Sequence, residues 1–247
     1  MLRRINTHLS SAGVTLARIK PEQFKQWNEG MVKKYDPDAF HHHPNPIVSF
    51  IERKRVRAIA ELIKNRANDR IIEVGCGGGN VVANLSVGKL FGFDISRHIL
   101  SKAKENLRGV VYLFQGDVEN LSSKGQTFTH VICSEVLEHV LNPPAALEEI
   151  ARVLVSHGTA VISVPNELGI NRIKKILLRL GIFEWFANRH GEYSEMPERM
   201  EDEWHLHTYS LETWLTLFRK SFRVSHIRRI PFVWLPLRYV ISLEKIR

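Results

Sequence analysis

The chain has 247 residues, 44% hydrophobic and 25% charged, proportions that exclude a disordered or fibrous protein. That length holds one α/β domain with insertions or at most two small domains, and no apolar run approaches the ~20 residues that cross a bilayer. A formal net charge of +9 suits nucleic acid, an anionic membrane surface or an acidic substrate, and equally a solvated basic surface, because the basic residues are spread along the chain.

Residues 1–20 carry no strong pattern, and Met1-Leu2-Arg3-Arg4 leads into polar residues rather than the apolar core of a signal peptide. Two cysteines, Cys76 and Cys133, suggest no disulfide framework, so a reducing cytoplasm is expected. Pro21 opens a predicted helix through Tyr35, with Phe24, Trp27 and Met31 at helical spacing, and Asp36-Pro37-Asp38 ends it. His41-His42-His43-Pro44-Asn45-Pro46 reads as a rigid linker; three adjacent histidines cannot all face one metal. Pro46 starts a second helix, Ile47 to Asn65, with Phe50, Ile51, Ile59, Leu62 and Ile63 near one face and arginines over the rest.

The chain is organised around Arg70-Ile71-Ile72-Glu73-Val74-Gly75-Cys76-Gly77-Gly78-Gly79-Asn80. A short apolar run ends in an acid and a glycine-rich turn, and Val81 to Val87 reads as the start of a helix. Strand, turn and helix make half of a βαβ unit. The glycines admit positive φ and let a ligand approach without meeting a Cβ, and a helix start offers free N–H groups to it. The next apolar run ends in Asp94, where doubly wound folds place an acid on ribose hydroxyls. Ser96 is a good N-cap for a helix through Asn106. Val110 to Gln115 reads as the third strand, running into Gly116-Asp117-Val118-Glu119, and Phe128 to Cys133 as the fourth.

Ser134-Glu135-Val136-Leu137-Glu138-His139-Val140 follows. A helical turn here puts Glu135, Glu138 and His139 on one face, where two carboxylates and an imidazole compete unless they share a cation or a proton. Pro143 and Pro144 suit the first turn of a helix from Ala145 to Leu154, and His157-Gly158 turns into a fifth strand, Thr159 to Val164. Leu168 to Trp204 is an insertion: a basic amphipathic helix, Ile170 to Leu180, then Ile182, Phe183, Trp185 and Phe186, then an acidic half, Glu192 to Glu203. It reads as a lid over an acceptor pocket or as an extra packed helix pair. Ser210 caps a helix from Leu211 to Lys220, and Phe222 to Ile230 is a sixth strand. The apolar run Pro231 to Leu243 reads as completing the sheet, with a membrane surface or a greasy pocket as alternatives.

Glu73 to Gly79 resembles the first motif of the class I S-adenosylmethionine-dependent methyltransferases, acid-x-Gly-x-Gly-x-Gly, at every fixed position, and the resemblance runs from about Ile47 to Arg229. It implies an α/β, Rossmann-like, mostly parallel sheet with helices on both faces and an antiparallel final strand. Residues 1–46 would be an N-terminal helical extension, 47–247 the methyltransferase domain and 167–204 its lid. S-adenosylmethionine would lie over Gly75, Gly77 and Gly79, with Asp94 on ribose, Asp117 at adenine, Arg55 towards the methionine carboxylate, and Glu73, Ile95, Val118 and Ser134 completing the set.

The turn after the fourth strand is similar to the Glu-x-x-Glu-His turn of ubiquinone-biosynthesis O-methyltransferases and small-RNA 2′-O-methyltransferases. That implies Glu135, Glu138, His139 and His205 as ligands of a divalent metal such as Mg2+, or else a pocket-lining turn without one. By spacing from Tyr209-Ser210, His205 fits better than His207. His139, with Glu138, is the candidate for proton transfer. The first functional reading is O-methylation of a small hydrophobic acceptor, quinol- or lipid-like. RNA 2′-O-methylation and a non-catalytic S-adenosylmethionine-binding platform are the alternatives. Peripheral membrane contact is left open.

Overall fold

A computed structural model describes residues 19–38, 45–181 and 204–246. The His41-His42-His43 run, residues 1–18 and the later parts of the expected lid (Phe183, Trp185, Phe186 and the acidic half to Glu203) lie outside the described residues.

Helices α1 (Pro21–Lys34) and α2 (Pro46–Ile63) precede β1 (Arg70–Val74) and β2 (Lys89–Asp94). Then come α3 (Arg97–Leu107), β3 (Tyr112–Gln115), β4 (Phe128–Ser134), α4 (Pro143–Val153), β5 (Leu154–Pro165) and α5 (Glu167–Arg179). Helix α6 (Leu211–Phe218) and the hairpin β6 (Phe222–Pro231) and β7 (Pro236–Lys245) close the chain. Caps appear where the sequence puts them: Ser96 Oγ accepts the Ile99 N–H and Ser210 Oγ the Thr213 N–H, each at 3.2 Å, satisfying donors that a helix start leaves unpaired.

The strands form one seven-stranded sheet in the order β3-β2-β1-β4-β5-β7-β6. β3, β2, β1, β4 and β5 pair in parallel, and β7 runs antiparallel between β5 and β6. Alternate side chains of each central strand meet a different helix layer. Ile72, Val74, Val131 and Cys133 pack with Leu147, Ile150, Trp214 and Phe218 of α4 and α6. Ile71, Ile132 and Val161 pack with Ile59 and Ile63 of α2 and Leu107 of α3.

Three expectations are corrected. Val81 to Val87 does not become a helix; a single 3-10 turn, Val82–Asn84, stands there. The crossover from β1 to β2 is short, the glycine turn uses its first residues, and the Val82 N–H is drawn back to Glu73 Oε2 at 2.9 Å. The run from Pro231 completes the sheet only from Pro236 onward; Phe232, Val233 and Trp234 are exposed. Phe50 is exposed too, against Phe232, rather than on the buried stripe of α2.

Candidate active site

The carboxyl ends of β1, β2 and β4 and the start of β7 open on one cavity of about 470 Å³, closed from the sides by α1, α2, α5 and the Trp204-His205 segment. Open parallel sheets place ligands at this end. The glycine turn forms one wall. Gly75, Gly77 and Gly79 have φ of 68°, 50° and 85°, values that side-chain-bearing residues rarely take. A Cβ on Gly75 would meet Val136 Cγ2 at 2.2 Å, whereas the space beside Gly77 is open to the cavity. Gly79 is the one glycine of the expected set that does not line the cavity; its bare Cα lets Leu107 of α3 pack close, at 2.6 Å from where a Cβ would sit.

Asp94 closes the turn. Its Oδ2 accepts the Gly77 N–H and its Oδ1 the Ser96 N–H, both at 2.9 Å. Burial pushes the Asp94 carboxyl up to about 6 and the Glu73 carboxyl up to about 8, against the pull of the backbone N–H groups that each accepts. Ile95, Asp117, Val118 and Ser134 also line the cavity. Although the chain carries a charge of +9, seven carboxyl side chains and only three cations line this space among the described residues. Even with Glu73 and Glu138 protonated the remaining carboxylates outnumber the cations, so the cavity is acidic inside a basic protein.

Arg55 is buried, 3% exposed. Its Nη2 lies 2.6 Å from Glu52 Oε2 and its Nη1 donates to Ser134 Oγ. Ser134 Oγ is 3.0 Å from Ser163 Oγ, which donates to Glu135 Oε1 at 2.8 Å. Arg238 of β7 ends this polar chain with Nε 2.6 Å from Glu135 Oε2. The N–H is poorly aimed, so the contact is an ion pair rather than a good hydrogen bond.

The turn after β4 differs from the expected one. Glu135 has φ of 56°, so no regular helical turn passes through it, and its carboxylate swings to Arg238 and Ser163. Glu135 stays close enough to Glu138 to act on its charge but does not join a ligand set with Glu138 and His139. The structure brings His205 there instead: Glu138, His139 and His205 each offer a ligand atom, all within 4.8 Å of one another. The Glu138 carbonyl accepts the N–H groups of Leu206 at 2.7 Å and His207 at 3.1 Å, tying the later segment to the turn. His139 and His205 meet edge-on with centroids 4.8 Å apart. His207 turns away to the Val140 carbonyl, 2.8 Å.

Each histidine is oriented by a partner. His205 Nδ1 lies 2.6 Å from Glu167 Oε1 and His139 Nδ1 lies 3.3 Å from the Trp204 carbonyl. Both contacts call for a proton on Nδ1, which leaves Nε2 as the lone-pair nitrogen. Burial, with His205 and His207 nearby, holds His139 well below the usual imidazole range, so it stays neutral. Burial and the neighbouring Glu135 push the Glu138 carboxyl well above its ordinary range. Its Oε2 is buried with no hydrogen-bond partner among the described residues. Burial works to raise Glu167 as well, but the hydrogen bond from His205, with Arg238 and Lys174 nearby, brings it below the usual carboxylate value.

Several lining residues escaped the sequence. Glu52 was legible, three residues before Arg55 on the same helix face. Arg238 had a weak signal, a lone cation early in an apolar strand. Glu167 and the α1 residues Phe24 and Asn28 had none, because only the packing of distant elements brings them to the cavity.

A methyltransferase-domain family model matches residues 72–162. The ubiquinone biosynthesis O-methyltransferase of Rickettsia bellii (strain OSU 85-389) is 31% identical over 199 residues, covering 73% of this chain and 75% of the relative. Among solved structures, the N-methyltransferase NodS from Bradyrhizobium japonicum, in complex with S-adenosyl-L-homocysteine, superposes with a TM-score of 0.63 at 14% identity, over 90% of this chain and 100% of that one. Magnesium protoporphyrin IX methyltransferase from Synechocystis, with the same compound bound, gives 0.62 at 14% identity, over 91% and 97%. The structural likenesses concern the fold.

Proposed function

The chain belongs to the class I S-adenosylmethionine-dependent methyltransferases, and from that premise we propose that it methylates an oxygen of a small hydrophobic acceptor, quinol- or lipid-like. One observation carries the reading: the acidic glycine crevice and the His139–His205 pair open into the same cavity, whose further wall is apolar, with Ile51, Val140, Ile170 and Leu237. A cationic sulfonium donor suits the acidic half. In this reading Asp94 meets the ribose and Asp117 the adenine, Gly77 leaves the approach open, and Arg55, which lines the cavity while paired with Glu52, meets the methionine carboxylate.

The sulfonium makes the methyl group electrophilic, so the residues have two tasks: to align the acceptor in line with the methyl–sulfur bond, and to take its proton. Neutral His139 accepts the proton of the acceptor hydroxyl as the oxygen–methyl bond forms and the sulfur leaves as a thioether. Glu167 keeps His205 in the tautomer that presents Nε2. Glu138, His139 and His205 also fit a divalent cation, through their close ligand atoms and a buried Glu138 oxygen with no hydrogen-bond partner among the described residues. Such an ion, when bound, supplies Lewis acidity towards the acceptor oxygen. In this reading residues 47–247 are the catalytic domain. The extension 1–46 contributes Phe24, Asn28 and Val32 to the cavity wall, and the lid 167–204 contributes Ile170 and Lys174.

The test is transfer of a radiolabelled methyl group to alkylated and plain phenols, and in parallel to RNA. Preferential labelling of the alkylated phenols is expected. Salt-sensitive labelling of RNA, with none of the phenols, would replace the acceptor by a ribose 2′-hydroxyl. Tight cofactor binding with no transfer to any fractionated cell extract would leave only a binding protein.

A further inference from the structure

The hairpin between β6 and β7 carries an apolar tip into solvent. Val233 is 73% exposed and Trp234 78%. The tip is braced: Phe232 stacks on Trp234 with centroids 5.3 Å apart and planes 5° from parallel. Phe232 also reaches Phe50 of α2 at 6.2 Å. Lys54 Nζ sits over both the Phe50 ring, at 5.2 Å, and the Phe232 ring, at 5.7 Å. With exposed Ile47 alongside, this makes a built aromatic edge rather than scattered surface hydrophobics, and contiguous exposed patches of that kind mark interaction sites.

A basic collar surrounds it. Arg53, Lys54 and Arg57 of α2 and Arg228 and Arg229 of β6 are exposed. The acid exposed on these two elements is Glu61, which already pairs with Arg57 at 2.8 Å and Arg228 at 2.7 Å. The chemistry that matches both features is an anionic phospholipid surface. Tryptophan settles at the headgroup boundary, aliphatic and aromatic side chains enter the acyl region, and arginine and lysine meet the lipid charge. A second copy of the chain would bring collar against collar, and an RNA, though able to stack a base on Trp234, would leave the aliphatic Val233 without an apolar partner.

The patch also adjoins the cavity. Ile51 follows Phe50, Leu237 comes three residues after Trp234, and both line it. We propose that the β6–β7 tip and its basic collar seat the protein on anionic phospholipid, with the cavity mouth turned towards the bilayer. The surface goes beyond the acceptor assignment and stands without it, since lipid binding needs neither acceptor nor transfer.

Sedimentation of the full chain with vesicles tests it, using phosphatidylcholine alone and phosphatidylcholine mixed with phosphatidylglycerol, at low and high salt. Binding is expected to the mixed vesicles at low salt. It should weaken about tenfold or more in Val233→Ser with Trp234→Ser, and likewise in Lys54→Glu with Arg57→Glu. Both variants should still bind S-adenosylhomocysteine as tightly as the parent, which shows that they fold. No binding to mixed vesicles, or equal binding by parent and tip variant, overturns the proposal. So does a concentration-dependent dimer that the tip substitutions abolish.

Discussion

Arg238 Nε stands 2.6 Å from Glu135 Oε2 at the cavity floor, so the start of β7 is locked to the first residue after β4. The pair is continuous through Ser163 and Ser134 with Arg55 and Glu52. One polar chain thus joins α2, the β4 turn, β5 and β7 beneath the proposed methyl-transfer site.

Replacing Arg238 by Met should leave Glu135 without its cation in a largely desolvated site. Both side chains keep 20% exposure, so the cost sits below that of a fully buried broken pair, at about 1–3 kcal/mol. Arg238→Met combined with Glu135→Gln should recover most of it. Urea unfolding of the two single variants and the double variant measures the coupling; simple additivity would mean that the pair is not linked.

Gly77→Ala and Gly79→Ala should fail in different ways. A methyl at Gly77 projects into open cavity, and its φ of 50° is strained but tolerable. Cofactor affinity should fall by tenfold or more, on the order of 1.4 kcal/mol, with melting temperature little changed. A methyl at Gly79 meets Leu107 Cδ1 at 2.6 Å, so it should lower the melting temperature first. Calorimetric titration with S-adenosylhomocysteine and thermal melts of both variants separate the two.

The cofactor-free protein should lose stability as pH rises across the neutral range. The Glu73 and Asp94 carboxyls, with ordinary values of 4.5 and 3.8, are raised to about 8 and about 6 in the fold. The folded state holds those protons more tightly than the unfolded chain. Their contribution is complete below about pH 4 and is lost as pH climbs through about 6 for Asp94 and about 8 for Glu73. Glu73→Gln keeps the shape without the charge and should flatten the fall in melting temperature between pH 5 and 8. A variant curve parallel to the parent's would contradict the assignment to Glu73.

Glu167→Gln should act through His205. The amide can still reach Nδ1 but no longer enforces the same tautomer, and kcat should fall about 10–100-fold. Affinity for S-adenosylhomocysteine should not move. Glu167→Asp, which keeps a carboxylate for Nδ1, should recover more of kcat than Glu167→Ala. Equal losses in both would point to disturbed packing instead.

The run of strands along the chain and the glycine turn were legible because local patterns carry them, and the resemblance they support implied the mostly parallel sheet with its crevice. Apolar runs of strand length, Ser96 and Ser210 as caps, and glycines at Gly75 and Gly77 each speak within a few residues. The neighbouring acid, Asp94, follows from strand length alone. The turn after β4 misled the eye, because the spacing of Glu135, Glu138 and His139 assumes a helix, and nothing nearby announces that Glu135 takes φ of 56°. The absent helix after Asn80 failed for a similar reason: Glu73, nine residues back, claims the Val82 N–H.

By itself the sequence determined the run of elements and the glycine turn with Asp94 beside it, since these rest on short-range backbone demands and alternating burial. Only the tertiary structure decided which side chains complete the cavity wall. His205, already named from its spacing to Tyr209-Ser210, is held at the cavity by the Glu138 carbonyl on the Leu206-His207 segment, whereas Arg238, Glu167 and α1 reach it from elements far apart in the chain, Arg238 through β7 lying between β5 and β6. Such contacts depend on how faces pack in three dimensions, and no local spacing encodes that.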